Sequence, residues 1–234
     1  YYLEKIMTIN VKDIELLFPT KIQFSTDDKF DEYKVPLVKW MNDYSFKNPT
    51  VTRSNFGGYQ SPDNFYYEES FAPFLNRLSE WIVTSQKAYV KGTILEDVPL
   101  KLGNMWFNFN HQYCYNVMHT HPGCLIAGVI WLRMPTDIDV PPLVFQDPMS
   151  HLTSELDEGV SDARYSPVDG EMCIFPAHIP HRVDINESTM TRVSLSFNIV
   201  DKKPVNFLFL KLCNFTFKTS FPFSKELSKS HNEK

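Results

Sequence analysis

Three histidines have the spacing of a transition-metal site. His119 and His121 are separated by one residue, and His181 follows much further along the chain. If the first pair lies on an extended segment, the two side chains point to the same face and could bind one ion at about 2.0–2.2 Å. H-x-H pairs also occur by chance on exposed strands, and His178 competes for the third position. We favour His181, so the predicted metal ligands are His119, His121 and His181.

Arg192 is a candidate anion receptor. It opens an alternating run in which it shares a face with Ser194. A planar guanidinium can bind both oxygens of a carboxylate, and a neighbouring hydroxyl adds a further donor. A structural ion pair with an acidic residue across the sheet is the alternative that the spacing allows. Together with the histidines, Arg192 suggests an iron site that also holds a carboxylate cosubstrate.

The elements that must position these residues are mostly short strands after residue 99. Apolar periodicity before that point predicts helices over 27–41 and from 70 to 82, and a Pro- and Gly-containing loop over 45–62. Strands are predicted at 14–18, 21–24, 105–110, 125–132, 143–145, 170–175 and 192–198. This order predicts a mainly β fold with supporting helices (α+β) and a jelly-roll, cupin-like core. We expect a support region over 1–98, the catalytic core over 99–200 and a C-terminal extension over 201–234.

Composition excludes several classes of function. The net charge of −5 argues against a general nucleic-acid binder, which needs a surplus of Lys and Arg. The apolar runs are far shorter than the roughly 18 residues of a membrane span. Four scattered cysteines and no visible secretion signal predict a reduced, cytoplasmic protein. The oligomeric state is left open.

Five sequence blocks, in order and with matching gaps, resemble the 2-oxoglutarate/Fe(II) oxygenases of marine bacteria and phages, a group similar to the prolyl-hydroxylase branch. The blocks lie between about residues 105 and 200. They are Tyr115-Asn116-x-x-His119-x-His121-Pro122, Gly128-Val129-x-Trp131, Phe145-x-Asp147-Pro148, Gly170-x-x-x-x-Phe175-Pro176-x-x-x-x-His181-x-Val183 and Arg192-x-Ser194-x-Ser196-Phe197-Asn198.

The resemblance implies a double-stranded β-helix with Fe(II) at its open end, and 2-oxoglutarate and O₂ as cosubstrates. It implies that 2-oxoglutarate chelates iron and sets its 5-carboxylate against Arg192, with Ser194 and Tyr113 or Tyr115 as donors. Asn108 is expected to line the same pocket, together with Trp106, Asn110 and Trp131. The implied reaction converts 2-oxoglutarate to succinate and hydroxylates a substrate C–H bond, in a bacterial or host cytoplasm.

One position departs from the family pattern. The usual triad is two histidines and a carboxylate, in the form H-x-D/E…H. Here His121 occupies the carboxylate position. Either three neutral imidazoles hold the iron, or a carboxylate such as Asp147 supplies the third ligand. The formal charges of Fe(II), the 2-oxoglutarate dianion and the ligands sum to zero with three histidines and to −1 with a carboxylate.

Two other functions fit part of the pattern. A three-histidine cupin dioxygenase without a cosubstrate would explain the imidazoles but not Arg192 and Ser194. A metal-stabilised jelly roll that only binds a ligand or partner would need no redox chemistry. The sequence does not identify the substrate, which could be a protein side chain, an amino acid, a nucleobase or a small metabolite.

Overall fold

The protein is represented by a computed structural model, which describes residues 20–148 and 162–203. The first part of this range forms two helices and three short strands: β1 (Gln23–Thr26), α1 (Phe30–Ser45), β2 (Asn55–Phe56), β3 (Tyr59–Gln60) and α2 (Ala72–Val90). The rest is β-structure: β4 (Leu100–Asn110), β5 (Tyr115–His119), β6 (Ile126–Arg133), β7 (Leu143–Gln146), β8 (Asp162–Tyr165), β9 (Glu171–Pro176), β10 (His181–Val183) and β11 (Arg192–Asp201).

These strands form two antiparallel sheets. The larger sheet has the order β1-β9-β6-β11-β4-β3, and the smaller has the order β2-β5-β10-β7-β8. Side chains from both sheets meet in one buried cluster, with Trp131 and Phe175 from the larger sheet and Leu143 and Phe145 from the smaller. The fold is therefore a double-stranded β-helix supported by helices, and the predicted fold class is confirmed.

Strict alternation along β4 and β11 separates the inside of the barrel from its helical support. Phe107 of β4 and Leu195 and Phe197 of β11 belong to the core that also contains Leu78 and Trp81 of α2. The intervening residues therefore face the barrel interior, as the period of two predicts. On β11 this inward row is Arg192, Ser194, Ser196 and Asn198.

Gly128 is required by close packing between β6 and β11. It pairs in register with Phe197, whose ring is fully buried. A Cβ atom at position 128 would lie 2.2 Å from Phe197 Cζ and within 2.8 Å of two further ring atoms. Only the absence of a side chain lets the aromatic ring lie against the strand.

The predicted helices are confirmed, with one correction at the start of α1. The helix predicted to start at Asp27 begins instead at Phe30, without a side-chain cap. Asp27 instead accepts hydrogen bonds from Lys29 N at 3.1 Å and from Arg77 Nε of α2 at 2.8 Å. It thus ties α1 to α2.

Some short elements were not predicted. The segment interpreted as loop over 45–62 contains β2 and β3, each only two residues long. A period of two cannot be recognised over two residues, and β8 was missed for a similar reason. The predicted strand over 14–18, and His151, lie outside the described residues. The boundaries predicted at 98/99 and 200/201 stay predictions. In the described part of the chain, no helix has the length and apolar character to cross a membrane.

Candidate metal centre and adjoining cavity

A β-bulge directs His119 into the barrel. In the pairing of β5 with β10, His119 lies opposite His181 and Asn116 lies opposite Val183, so the register shifts between them. Four residues of β5 thus span three residues of β10. Such an extra residue reverses the side-chain alternation. Asn116 and His119 consequently both line the interior cavity, although three positions separate them.

The three predicted histidines converge. One ligand atom from each of His119, His121 and His181 can be chosen so that all lie within 4.8 Å of one another. His121 Nε2 is 3.1 Å from His181 Nε2, and the centroids of the His119 and His181 rings are 4.3 Å apart. In the described part of the chain this is the sole group of three or more His, Cys, Asp or Glu side chains with metal-binding geometry.

Backbone carbonyl groups orient two of the rings. Nδ1 of His119 donates to Val117 O at 2.8 Å, and Nδ1 of His181 donates to Ile179 O at 2.9 Å. A neutral imidazole that carries its proton on Nδ1 presents a lone pair at Nε2. The hydrogen bonds therefore fix the tautomer in which Nε2 of each ring can bind a cation.

Burial keeps this cluster uncharged. Burial, with a smaller contribution from the nearby His119, lowers the pKa of His181 to about 3 and that of His121 to about 4. The pKa of His119 is also lowered, chiefly by burial. At neutral pH all three imidazoles are thus uncharged.

The competing ligands lie elsewhere. His178 is exposed and lies outside the cluster, and exposed His111 pairs with Thr191 Oγ1 at 3.0 Å. Asp147, the proposed substitute for His121, is exposed just beyond β7 and is not part of the cluster either. Among the described residues, the cluster therefore consists of three histidines and includes no carboxylate.

A cavity of about 460 Å³, partly open to solvent, leads from the histidines into the barrel. Its wall includes Arg192, Ser194 and Ser196 of the inward row of β11, and their order along the strand defines the two ends of the cavity. Ser196 pairs with Trp106, whose ring lies 5.6 Å from that of His121, so the Ser196 end adjoins the metal cluster. Arg192 lies four residues away along β11, at the other end of the row.

Arg192 is buried without a counter-ion. Its side chain is 2% exposed, and its Nε and Nη1 atoms have no hydrogen-bond partner among the described residues. Burial lowers its pKa to about 10, which leaves it protonated at neutral pH. An isolated buried cation is costly unless an anion accompanies it. The predicted alternative, an ion pair with an acidic residue across the sheet, is not found in the described part of the chain.

Further hydrogen-bond donors lie near Arg192 in the sheet. Ser194 lines the cavity and pairs with Asn108 across the sheet. Asn55 Oδ1 accepts from Gly58 N, so its Nδ2 donates to Asn108 Oδ1 at 3.2 Å. That contact leaves Asn108 Nδ2 as a donor for the cavity. Trp131 also pairs with Ser194, and its buried indole N–H has no acceptor among the described residues.

Tyr113 and Tyr115 lie outside this cavity, which corrects the expectation that they would contact the same anion. Tyr113 is 67% exposed in the β4–β5 turn, with φ of 66°. Tyr115 stacks on Phe56 and lines a separate groove with Val117. The alternation expected for an unbroken strand would place Tyr115 beside His119, and the bulge reverses this.

Sequence reasoning missed Ser54 and the interior role of Asn116, both of which line the cavity. Asn116 lies in the block that carries the histidine pair, but its face depends on the bulge. Ser54 accepts from Asn116 Nδ2 at 3.3 Å. No sequence signal pointed to it, because β2 is too short to show alternation.

The comparison with protein families agrees with the geometry. Residues 104–198 match a family described as "Putative 2OG-Fe(II) oxygenase". The match contains all three histidines, Arg192 and Ser194. No protein of curated function matches the sequence.

Solved structures are similar in fold at low sequence identity. A prolyl 4-hydroxylase from Pseudomonas putida has a TM-score of 0.54 and 12% identity, over 79% of this chain and 94% of that one. HygX from Streptomyces hygroscopicus, solved with nickel and 2-oxoglutarate bound, has a TM-score of 0.55 and 11% identity, over 78% and 84%. A prolyl hydroxylase from Trichoplax adhaerens, in complex with a hypoxia inducible factor peptide, has a TM-score of 0.56 and 10% identity, over 77% and 83%.

Fold and site together define a double-stranded β-helix protein with a three-histidine cluster beside a cationic cavity. Residues 104–198 match the model of the 2-oxoglutarate/Fe(II) oxygenase family, and the resemblance stated from the sequence blocks is confirmed.

Proposed function

We propose that this protein is an Fe(II)- and 2-oxoglutarate-dependent dioxygenase that hydroxylates an unidentified substrate. The observation that carries the proposal is Arg192, a buried and unpaired cation in the same cavity as the histidine cluster. A metal site alone would fit many proteins. A metal site with a receptor for a carboxylate at the far end of its cavity fits a diacid cosubstrate.

His119, His121 and His181 would hold Fe(II) through their Nε2 atoms. When bound, the ion with 2-oxoglutarate and O₂ supplies the oxidising chemistry that yields succinate and a hydroxylated product. The protein contributes neutral ligands, since burial keeps the imidazoles unprotonated. The three imidazoles leave the ion and the cosubstrate dianion with zero net charge. The position of His121 inside the cluster, and of Asp147 outside it, supports His121 as the third ligand.

Arg192 would bind the 5-carboxylate of 2-oxoglutarate, with Ser194 as a neighbouring donor. The Nδ2 group of Asn108 and the indole N–H of Trp131 are further donors that lack partners in the described structure. Hydrogen bonds between oppositely charged groups are among the stronger hydrogen bonds of proteins. Arg192 and Ser194 would thus orient the cosubstrate with its other end toward the histidines.

The unpaired guanidinium also argues against the two alternatives. A cupin dioxygenase that binds its organic substrate directly would leave Arg192 without a role. A purely structural metal site would have no reason to keep an uncompensated charge beside it. The cytoplasmic location, a bacterial or phage origin and the absence of general nucleic-acid binding stay predictions from the sequence. Structural neighbours act on peptides or small molecules, and the proposed substrate of this chain belongs to one of these two classes.

The direct test is an anaerobic titration with Fe(II) followed by 2-oxoglutarate. We expect the weak visible charge-transfer band of the metal–cosubstrate chelate, and oxygen-dependent succinate formation after air is admitted. The matched variant Arg192→Met should bind Fe(II) normally but need far more 2-oxoglutarate to develop the band. Iron-loaded protein that binds no 2-oxoglutarate would refute the proposal.

A further inference from the structure

A second, wider groove opens on the metal cluster. It encloses about 1410 Å³, counting the space open to solvent, and shares His119, His121 and Trp106 with the inner cavity. The inner cavity is accounted for by the proposed cosubstrate. The outer groove, which reaches the same histidines, is therefore the place where a substrate could approach the metal.

One carboxylate fixes the orientation of two amides in this groove. Asp63 Oδ2 can only accept, and it accepts from Asn104 Nδ2 at 3.0 Å. Asn104 therefore presents Oδ1 to its other neighbour, and Asn198 Nδ2 donates to it at 2.8 Å. Asn198 is left with Oδ1 as its free end. The orientation of both side-chain amides thus follows from the carboxylate of Asp63 and not from an arbitrary choice.

The groove consequently contains two buried acceptors without donors. Asn198 is 4% exposed and its Oδ1 has no partner among the described residues. Gln60, which is 6% exposed and lines the same groove, has an unpartnered Oε1. Buried carboxamide oxygens are normally satisfied. Two of them in one groove indicate a ligand that brings N–H or O–H groups.

The groove also carries both signs of charge. Asp63 lies at the end of the amide chain, and Arg53 is an exposed cation that forms no ion pair within the described part of the chain. The two side chains do not pair with each other. A ligand that satisfies the whole groove would place an ammonium group near Asp63 and the free amide oxygens, and a carboxylate near Arg53.

We propose that the groove binds an amino-acid-like zwitterion as the substrate of the adjacent metal site, with Asn198 Oδ1 as the acceptor that recognises its amino group. That this ligand is a substrate rests on the proposed function. Asp63 and Asn104 are positioning residues, since they act by holding Asn198 in its acceptor orientation.

The test is a binding measurement on Ni(II)-loaded, 2-oxoglutarate-saturated protein, which does not turn over. The probes are the free L-amino acids, each with its N-acetyl and its C-terminal amide derivative. We expect at least one free amino acid to bind, and both of its derivatives to bind about tenfold more weakly or worse, as expected for a lost charged contact.

Two variants test the acceptor. Asn198→Ala removes the acceptor oxygen. Asp63→Asn, at an exposed position, removes the charge that orients the side-chain amides of Asn104 and Asn198, so that both amides can reverse their orientation. Each should weaken amino-acid binding about tenfold without changing 2-oxoglutarate binding. Asp43→Asn, on the exposed face of α1, is the matched control and should leave both affinities unchanged.

The outcomes separate the two proposals. If 2-oxoglutarate binds but no amino acid does, the zwitterion assignment is wrong and the proposed function stands. If the derivatives bind as well as the parent, or both variants bind like the wild type, the recognition by Asn198 is refuted. If 2-oxoglutarate itself fails to bind, the proposed function fails, while amino-acid binding to the groove is still measured directly.

Discussion

The Nε2 atoms of His121 and His181 lie 3.1 Å apart, with their rings only 8° from parallel. His181 donates from Nδ1 to Ile179 O, so the nitrogen that it turns toward His121 carries a lone pair. A cation between the two rings would satisfy that lone pair. In the metal-free protein, the Nε2–H tautomer of His121 can donate to that lone pair, and a bound cation would replace this hydrogen bond.

We accordingly expect metal to stabilise the fold. Ligand at 100 times its dissociation constant adds about 2.7 kcal/mol to the free energy of unfolding. Zn(II), which lacks redox chemistry, should raise the melting temperature of the wild type and leave that of His181→Ala unchanged. His178→Ala, at the exposed histidine of the same loop, is the control and should respond like the wild type. An equal response of the His181 variant would place the metal elsewhere.

The pH dependence of metal affinity should be unusually flat. Burial lowers the pKa of His181 to about 3 and of His121 to about 4, so protons do not compete for these ligands above about pH 5. Three independent imidazoles with a pKa of 6.5 would lose about 70-fold in affinity between pH 8 and pH 6. We expect a loss of only a few-fold in a Zn(II) competition titration. A decline centred near pH 6.5 would contradict the assigned burial.

The same pKa shifts make the folding of the metal-free protein sensitive to acid. The unfolded chain takes up protons on these histidines near pH 6.5, whereas the folded chain does not. The free energy of unfolding of the metal-free protein should therefore decrease as pH falls from about 6.5 toward 4. Urea denaturation at several pH values measures this, and His121→Ala should reduce the slope.

Replacing Arg192 should separate stability from binding. Arg192→Met removes a buried charge that has no partner in the described structure, so the melting temperature of the metal-free protein should stay the same or rise. Affinity for 2-oxoglutarate should fall about 100-fold or more, because each bond to a charged group contributes about 1.5–3 kcal/mol. Arg164→Met, at an exposed ion pair with Asp184, is the control. A large loss of stability would show that Arg192 has a structural partner.

Gly128→Ala should destabilise the larger sheet. The added methyl would overlap the Phe197 ring, and overpacking of this kind costs about 1–3 kcal/mol. Phe197→Leu should relieve part of the overlap, so the double variant should be more stable than the sum of the two single changes predicts. Chemical denaturation of all four proteins gives the coupling energy, and strict additivity would contradict the contact.

Much of the site could be predicted because its residues lie on regular strands. The inward row of β11 follows from alternation alone, and the histidines and Arg192 are unusual enough to stand out. Tyr115 was misplaced because one extra residue in β5 reverses the faces, and no local pattern announces a bulge. Asn198 appears in the sequence as one of several inward polar residues. Its free oxygen becomes visible only when Asp63 and Asn104 are placed in space.

The bulge in β5 decides which side chains of this strand face the cavity. Because three positions separate Asn116 from His119, an unbroken strand would place the two side chains on opposite faces of β5. If His119 kept its place at the metal cluster, Asn116 would leave the cavity and the phenol of Tyr115 would enter it. Deletion of Val117 would give an even spacing, so both side chains could face the cavity without a bulge. The number of residues in β5 therefore matters as much as their identity.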